Sequence, residues 1–338
     1  MKIGKVPENV LKRSIIKQIK TKREEILVGA GVGEDCAVIS LADDEVFVMS
    51  TDPITGTSHD IGALSVHVTA NDIASAGAEV IGVMLSVLLP ENIEEAELKD
   101  MMKQVEETCS KLHIQTIGGH TEITRAVNQP IITVTGVGKV KRDQIITTSG
   151  AKPGDDVVVT KWIGLEGTSI IAKEKEDELL SKFAPSFIEE AKNFADYLSV
   201  VPEAATAVKS GVSAMHDVTE GGIFGALWEV AEASGVGLEI DLKAIPVKQE
   251  TIEICEYFGL NPYALISSGS MLMTAKRGYD LARELQKAGI HAAVVGKVTA
   301  GNDRVLLNEE ERRFLEPPKS DELYKVYESQ SKNKKSGE

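Results

Sequence analysis

Glycines alternate with carboxylates in a short stretch near the start of the chain, GAGVGEDCAVI at positions 29–39. Gly31 and Gly33 let the backbone turn tightly and bring its N–H groups close to a phosphate, because glycine has no Cβ atom. Asp35 follows them, and Mg²⁺ bridges carboxylate and phosphate oxygens readily. The stretch therefore predicts a loop that binds phosphate and metal; the alternative is a plain turn before a strand.

More acidic residues lie beside small residues at the predicted ends of strands and on one predicted helix. The acidic residues are Asp52, Asp72 and Asp217, and Asn71, Gly221 and Gly222 accompany them. Carboxylates grouped around such turns match the needs of Mg²⁺–triphosphate binding, and N–H groups at helix starts take the remaining phosphate charge. We therefore predict Asp35, Asp52 and Asp72 as metal ligands, with Asp217 helping from the second half of the chain.

Each acidic residue also has an ordinary structural interpretation. Asp52 precedes a proline and fits a turn. Asp72 fits a solvated helix face, and Asp217 with Thr219 fits a helix cap. These alternatives stay open for each residue taken alone.

Two histidines lie in comparable surroundings and are the catalytic candidates. His120 follows Gly118 and Gly119, whose lack of side chains again favours a close backbone approach. His216 directly precedes Asp217 and can orient that acid or a phosphate. The chain has no nucleophile elbow, no Walker phosphate loop and no protein-kinase motif set.

Length and composition limit the class of protein. A chain of 338 residues with 42% hydrophobic residues suits two globular domains. Its net charge of −15 disfavours nonspecific binding to nucleic acid or anionic membranes. No apolar run is long enough to span a bilayer, and no secretory signal is recognisable. Three scattered cysteines are typical of reduced cytoplasmic thiols.

The first half alternates predicted helices and strands. A helix is expected over residues 9–23, strands over 36–40 and 46–50, and a helix over 61–76. A strand at 81–88 precedes a helix whose apolar stripe includes Cys109, which therefore reads as a core residue. Strands at 115–117 and 130–137 flank the turn at 118–122. Proline and glycine at 149–154 indicate a domain boundary after residue 148.

The second half, predicted to extend to residue 318, shows the same alternation of strands and helices. Strands are expected at 156–160, 213–215, 264–266 and 271–274, and a last strand at 292–298. Helices are expected at 168–173, after Gly222 and before the last strand. The charged stretch 319–338 predicts a flexible tail. The fold class that these patterns predict is mixed α/β or α+β.

In these motifs the chain resembles the PurM-like superfamily, which includes aminoimidazole ribonucleotide synthetase, thiamine-monophosphate kinase, selenophosphate synthetase and the hydrogenase maturation factor HypE. The matching pieces are residues 31–37, 51–52, 71–77, 118–121 and 149–155. Residues 215–222 and 232–247 look closest to HypE.

The resemblance implies an N-terminal α/β domain that pairs across a homodimer, and a C-terminal α+β lobe. It implies ATP and Mg²⁺ as cofactors and phosphoryl transfer to an oxygen, often that of an amide. The acceptor, a small molecule or a protein-borne group, stays unidentified. No nucleic-acid or membrane partner is expected, and the expected location is the cytoplasm.

The chain departs from each member of the superfamily in some respect. HypE ends in a cysteine that carries the reacting group, whereas the last cysteine here is Cys255. His120 stands where thiamine-monophosphate kinase and aminoimidazole ribonucleotide synthetase have an acid, and Glu122 is positioned to replace it. Two hypotheses follow: an ATP-dependent enzyme, or a HypE-like maturation or nucleotide-binding partner with little turnover. In either case we expect no cyano-group chemistry by this chain alone.

Overall fold

The computed structural model describes residues 4–31, 36–55, 60–317 and 319–327. The chain divides into two compact units, Met1–Ile145 and Ile146–Glu338. We call them unit 1 and unit 2. The mixed α/β class predicted from the sequence is confirmed, since both units combine helices with a sheet.

Unit 1 alternates strands and helices along the chain. Its elements are β1 (Gly4–Lys5), α1 (Glu8–Val10), β2 (Ile26–Val28), β3 (Val38–Ile39), β4 (Glu45–Ile54), α2 (Ile61–Ser75), β5 (Glu79–Leu89), α3 (Glu95–Leu112), β6 (Gln115–Ile123) and β7 (Ile131–Lys141). Among the described residues, five strands form one sheet in the order β1-β6-β5-β7-β4, and β2 pairs with β3 separately.

Strand β4 lies at the edge of the first sheet and is longer than the sequence predicts. It is antiparallel to β7 through ten residue pairs, from Glu45 opposite Lys141 to Ile54 opposite Ile132. Pro53 is tolerated inside it because an edge strand has one side that needs no N–H donors. Asp52 therefore lies within the strand, which corrects the prediction that it ends a strand and does not support the alternative of a turn.

The amphipathic pattern of α3 was predicted correctly. Glu94 and Glu97 form a capping box at its start, and His113 ends it in the left-handed conformation. Cys109 has no exposed surface, as the core interpretation requires.

The expected helix at residues 9–23 is shorter and less regular than predicted. After α1 come a π-helical turn at Leu11–Ile15 and a 3₁₀ turn at Ile16–Gln18. Polar contacts then hold the segment: Thr21 donates two hydrogen bonds to Glu106 Oε1, each 2.7 Å long. These tertiary contacts replace continuous helix bonding.

Unit 2 contains a larger sheet covered by helices. Its elements are β8 (Asp156–Thr160), α4 (Leu165–Glu174), α5 (Glu176–Leu179), α6 (Pro185–Lys192), α7 (Val201–Lys209), β9 (Ala214–Val218), α8 (Gly222–Ser234), β10 (Gly237–Asp241), α9 (Gln249–Phe258), β11 (Ser270–Ala275), α10 (Gly278–Lys287), β12 (Ala292–Thr299), β13 (Arg304–Asn308) and β14 (Glu311–Phe314). The described strands are ordered β14-β13-β10-β12-β8-β11-β9, and only the β10–β13 pair is parallel.

Three expectations for unit 2 are wrong. The strand at 264–266 is absent from the described residues, and a 3₁₀ turn at Pro262–Ala264 takes its place. β12 is followed by two further strands. The tail is not free from residue 319 onward: Leu323 and Val326 are buried in a hydrophobic cluster of unit 2. Two apolar side chains at helical spacing supply the burial that the charged composition concealed.

None of the helices in the described ranges is both long and apolar enough to cross a membrane.

Candidate functional site

Two predicted metal ligands of unit 1 meet at one hydroxyl group. Ser50 and Asp52 are two residues apart on β4 and so share a face, and Asp72 projects from α2, which packs against this strand. Ser50 Oγ lies 3.2 Å from Asp52 Oδ2 and also contacts Asp72 Oδ2. The fold therefore brings together two carboxylates that are distant in sequence.

This arrangement fits a hard cation. Ser50 has one hydroxyl hydrogen and can donate to only one carboxylate at a time, so two negative groups share one donor. Mg²⁺ is commonly held by one or two carboxylates, with water and phosphate completing its octahedron. No cluster of three or more metal-binding side chains occurs among the described residues.

The remaining ligands predicted beside this pair differ in their placement. Gly33 and Asp35 lie outside the described residues. Asn71 precedes Asp72 on α2 and has no exposed surface. A direct contact between Asn71 and a nucleotide does not fit this conformation, and its role stays a prediction.

A cavity of about 450 Å³ in unit 1 gathers another group of the predicted residues. Gly31, Gly118 and His120 line it, together with the exposed thiol of Cys36. Its opposite wall consists of apolar side chains from residues 6–19, a contribution that sequence reasoning missed. No lysine, arginine or carboxylate is among its described lining residues.

His120 lies within strand β6, so the predicted turn at 118–122 is wrong. Its Nε2 atom is 3.1 Å from Glu122 Oε2, because residues two apart in a strand share a face. At Gly119, with φ of 151°, a Cβ atom would lie 2.2 Å from the carbonyl oxygen of Leu85. Gly119 is thus required by the neighbouring strand, and both Gly118 and Gly119 line the cavity.

In unit 2, His216 is engaged on both sides of its ring. Its Nε2 atom is 2.7 Å from Glu229 Oε2, and its Nδ1 atom is 3.4 Å from Thr148 Oγ1. Both ring nitrogens therefore have partners within the unit. This favours a structural role in this conformation, and the catalytic role stays a prediction.

The backbone of the glycine pair at the start of α8 is in contact with other segments of the chain. Gly221 N–H donates a 2.7 Å hydrogen bond to Asp321 Oδ2. A Cβ atom on Gly222 would lie 2.7 Å from the carbonyl oxygens of Tyr263 and Leu265. Close backbone packing explains this second glycine, and phosphate binding by the pair stays a prediction.

Three carboxylates are buried near this turn. Asp217 is 5% exposed, Asp321 2% and Glu166 4%. Burial, together with the charges of Asp321 and Asp217 and against a hydrogen bond from Ser268, raises the pKa of Glu166 to about 7. Burial also raises the pKa of Asp321. Glu166 and Asp321 were not singled out from the sequence, which predicted a loop at Glu166, whereas the structure places Glu166 in the first turn of α4.

Comparison with known proteins gives a consistent result. The family model described as AIR synthase related protein, N-terminal domain, matches residues 33–140, and the corresponding C-terminal domain model matches residues 152–308.

The chain is similar to a putative hydrogenase expression/formation protein of Methanocaldococcus jannaschii, at 30% identity over 96% of this chain and 97% of that protein. It is also similar to the carbamoyl dehydratase HypE of Cupriavidus necator, at 30% identity over 76% of each chain. Its fold matches a crystal structure of the hydrogenase maturation protein HypE in complex with ATP, with a TM-score of 0.80, 21% identity and coverage of 95% of this chain and 97% of that chain. Both domains and nearly the whole length agree, and the chain belongs to the AIR synthase related (PurM-like) family.

Proposed function

We propose that this protein is an ATP-dependent enzyme that activates an amide or carboxylate-type oxygen by phosphoryl transfer. The observation that carries the proposal is the pair Asp52 and Asp72 at the hydroxyl of Ser50, because it supplies two hard oxygen ligands beside a sheet edge. A relative named carbamoyl dehydratase and a similar structure that contains ATP support the same chemistry.

In this proposal several residues of unit 1 have separate roles. When bound, Mg²⁺ neutralises charge on phosphate oxygens; Asp52 and Asp72 would hold it, and Ser50 keeps their carboxylates oriented. The Gly118 backbone allows a close approach from the cavity. A neutral His120 that donates Nε2–H to Glu122 keeps Nδ1 as a proton acceptor. Such catalysis rests on positioning and charge neutralisation.

Asparagine variants at the acid pair test the proposal directly. Asp52→Asn and Asp72→Asn keep the side-chain shape and remove one charge each. ATP affinity measured by calorimetry in Mg²⁺ is expected to fall by about tenfold or more, or about 1.4 kcal/mol, with the thermal unfolding profile retained. Asp143→Asn, at an exposed position on a 3₁₀ turn of unit 1, is the matched control. Unchanged affinity in both acid variants would refute the assignment.

A second candidate function is a HypE-like maturation or nucleotide-binding partner with little turnover. It is favoured by the burial of Cys109 and Cys255, which leaves only Cys36 exposed as a thiol acceptor for HypE-type chemistry. ADP release from Mg²⁺·ATP, measured with and without carboxamide acceptors, separates the two functions. Tight ATP binding with no ADP release above the buffer rate supports the second.

The proposal includes a homodimer formed through unit 1. Strand β4 presents Phe47, 50% exposed, and Met49, 63% exposed, on the sheet face away from α2. Apolar residues beside an unpaired sheet edge favour association. Light scattering at micromolar concentration is expected to give twice the chain mass, and a monomer mass contradicts the dimer. A cytoplasmic location is part of the same proposal and is checked by cell fractionation.

A further inference from the structure

Gln115, the first residue of β6, lies next to two segments that line the same cavity of unit 1. Residues 29–31 form one side of the cavity of about 450 Å³, and residues 116–121 of β6, including Gly118 and Gly119, form another. Gln115 is 3% exposed and is not among the described lining residues. Its side chain can therefore influence the shape of the cavity without contacting what the cavity binds.

The side-chain amide of Gln115 has a defined orientation. Its Oε1 atom accepts a 2.7 Å hydrogen bond from the backbone N–H of Arg23. A backbone N–H can only donate, so the oxygen of the amide must face Arg23. The NH₂ group then faces Gly29.

The contact between Gln115 and Gly29 leaves no room for a side chain at position 29. A Cβ atom on Gly29 would lie 2.7 Å from Gln115 Nε2. The φ of Gly29 lies outside the left-handed region, so this contact, and not the backbone conformation, favours glycine here. The end of a glutamine side chain can often move aside, but burial and the hydrogen bond to Arg23 restrict that movement.

Arg23, the other partner of Gln115, is itself held in place. Its guanidinium donates a 2.6 Å hydrogen bond to Glu79, which begins the neighbouring strand β5. It also donates a 3.3 Å hydrogen bond to the carbonyl oxygen of His113, two residues before Gln115. Arg23 is thus a fixed point, and Gln115 transmits its position to Gly29.

We propose that Gln115 is a positioning residue for nucleotide binding. It holds residues 29–31 at a fixed separation from the two β6 glycines, so that both glycine segments can approach one phosphate chain. The inference rests on the proposed function for the identity of the ligand. Glycine backbones on two sides of a cavity bind best when their spacing is set before the ligand arrives, because preorganised groups lose less conformational freedom on binding.

Calorimetry of ATP binding in Mg²⁺ with a double-mutant cycle tests the inference. Gly29→Ala forces residues 29–31 away from the amide, and Gln115→Ala removes the amide; each is expected to weaken ATP binding about fivefold. In the double variant the added methyl group no longer meets Nε2, so we expect a loss of about fivefold rather than the product of the single effects, about twenty-fivefold. A loss equal to that product overturns the proposal.

Thr21→Val is the matched control for an effect on stability alone. It removes a 2.7 Å hydrogen bond from the same segment to Glu106 and leaves Gly29 and its contact unchanged. We expect lower thermal stability with ATP affinity within about twofold of the unaltered protein. A loss of affinity as large as that of Gln115→Ala would show that Gln115 acts only through stability and would overturn the proposal. If Gln115→Ala does not fold, Gln115→Asn takes its place, because it keeps the amide and withdraws it from Gly29.

Alkylation of Cys36 by iodoacetamide separates this inference from the proposed function. Cys36 is exposed and lines the same cavity, and its labelling needs no nucleotide. We expect the rate to rise at least about threefold in Gly29→Ala and in Gln115→Ala, with no further rise in the double variant. If the unaltered protein binds no ATP while the rates follow this pattern, the proposed function fails and the positioning of the cavity wall by Gln115 stands. Unchanged rates, or rates that multiply in the double variant, overturn the positioning.

Discussion

The buried carboxyl group of Glu166 is expected to make the free energy of unfolding fall as pH rises. Its side chain is 4% exposed on α4. Burial raises its pKa from 4.5 to about 7, with further contributions from the charges of Asp321 and Asp217. Replacement by glutamine keeps the size of the side chain and removes the titration.

The direction of the pH dependence of stability follows from the raised pKa of Glu166. Because the pKa in the folded state lies above that in the unfolded state, the stabilising effect is complete below pH 4.5 and is lost as pH rises through about 7. At about 1.4 kcal/mol per pH unit, the loss is about 3 kcal/mol between these limits.

Urea unfolding of the unaltered protein and of Glu166→Gln at pH 5 and pH 8, in buffer with a metal chelator, measures this contribution. The free energy of unfolding of the unaltered protein is expected to fall more between the two pH values than that of the variant, by about 2–3 kcal/mol. Glu178→Gln, at an exposed position on α5, controls for the loss of a carboxylate as such. An equal pH dependence for the unaltered protein and Glu166→Gln would refute the reasoning, whatever the absolute stability of the variant.

Three further predictions use simpler measurements. Leu323→Ala is expected to lower the free energy of unfolding by about 2–5 kcal/mol, because the side chain is 5% exposed in a packed cluster; a value within error of zero in a denaturant titration contradicts this. Iodoacetamide at pH 8 is expected to label Cys36 alone under native conditions, since burial raises the pKa of Cys109 and Cys255 to about 12; labelling of either buried thiol, seen by mass spectrometry, contradicts it. Glu25→Gln is expected to flatten the loss of stability as pH falls from 4.5 toward 2, because an arginine hydrogen bond holds the pKa of this carboxyl at about 2; parallel acid-unfolding curves contradict this.

The local part of the fold was accessible from the sequence. The stripe that contains Cys109 predicted α3, and helices α8 and α10 were also expected. The grouping of acidic residues predicted that Asp52 and Asp72 lie close together, and the fold brings them to the same serine hydroxyl. These features depend on the spacing of apolar residues and on strand order, and both can be recognised in short stretches of sequence.

The misplaced features depend on contacts between distant residues. The turn predicted at residues 118–122 is a strand because β6 continues alongside β5, and a glycine pair alone does not distinguish the two. Asp321 binds the amide of Gly221, which is distant in sequence, so no local pattern marks it. The buried position of Glu166 in the first turn of α4 likewise results from tertiary packing, since a glutamate is ordinarily solvated.

The packing of the C-terminal segment has a consequence for how the protein is made. Leu323 and Val326 complete a hydrophobic cluster whose other members begin at Ile170, and Asp321 closes the first turn of α8 through Gly221. A ribosome that has synthesised the rest of this half has therefore produced an incomplete core with exposed apolar surface. The final stability of the second half is expected to appear only after residues 321–326 have been synthesised, whereas the described sheet of the first half uses no residue beyond Lys141. Nascent chains stalled before residue 321 are consequently the species that most need chaperones.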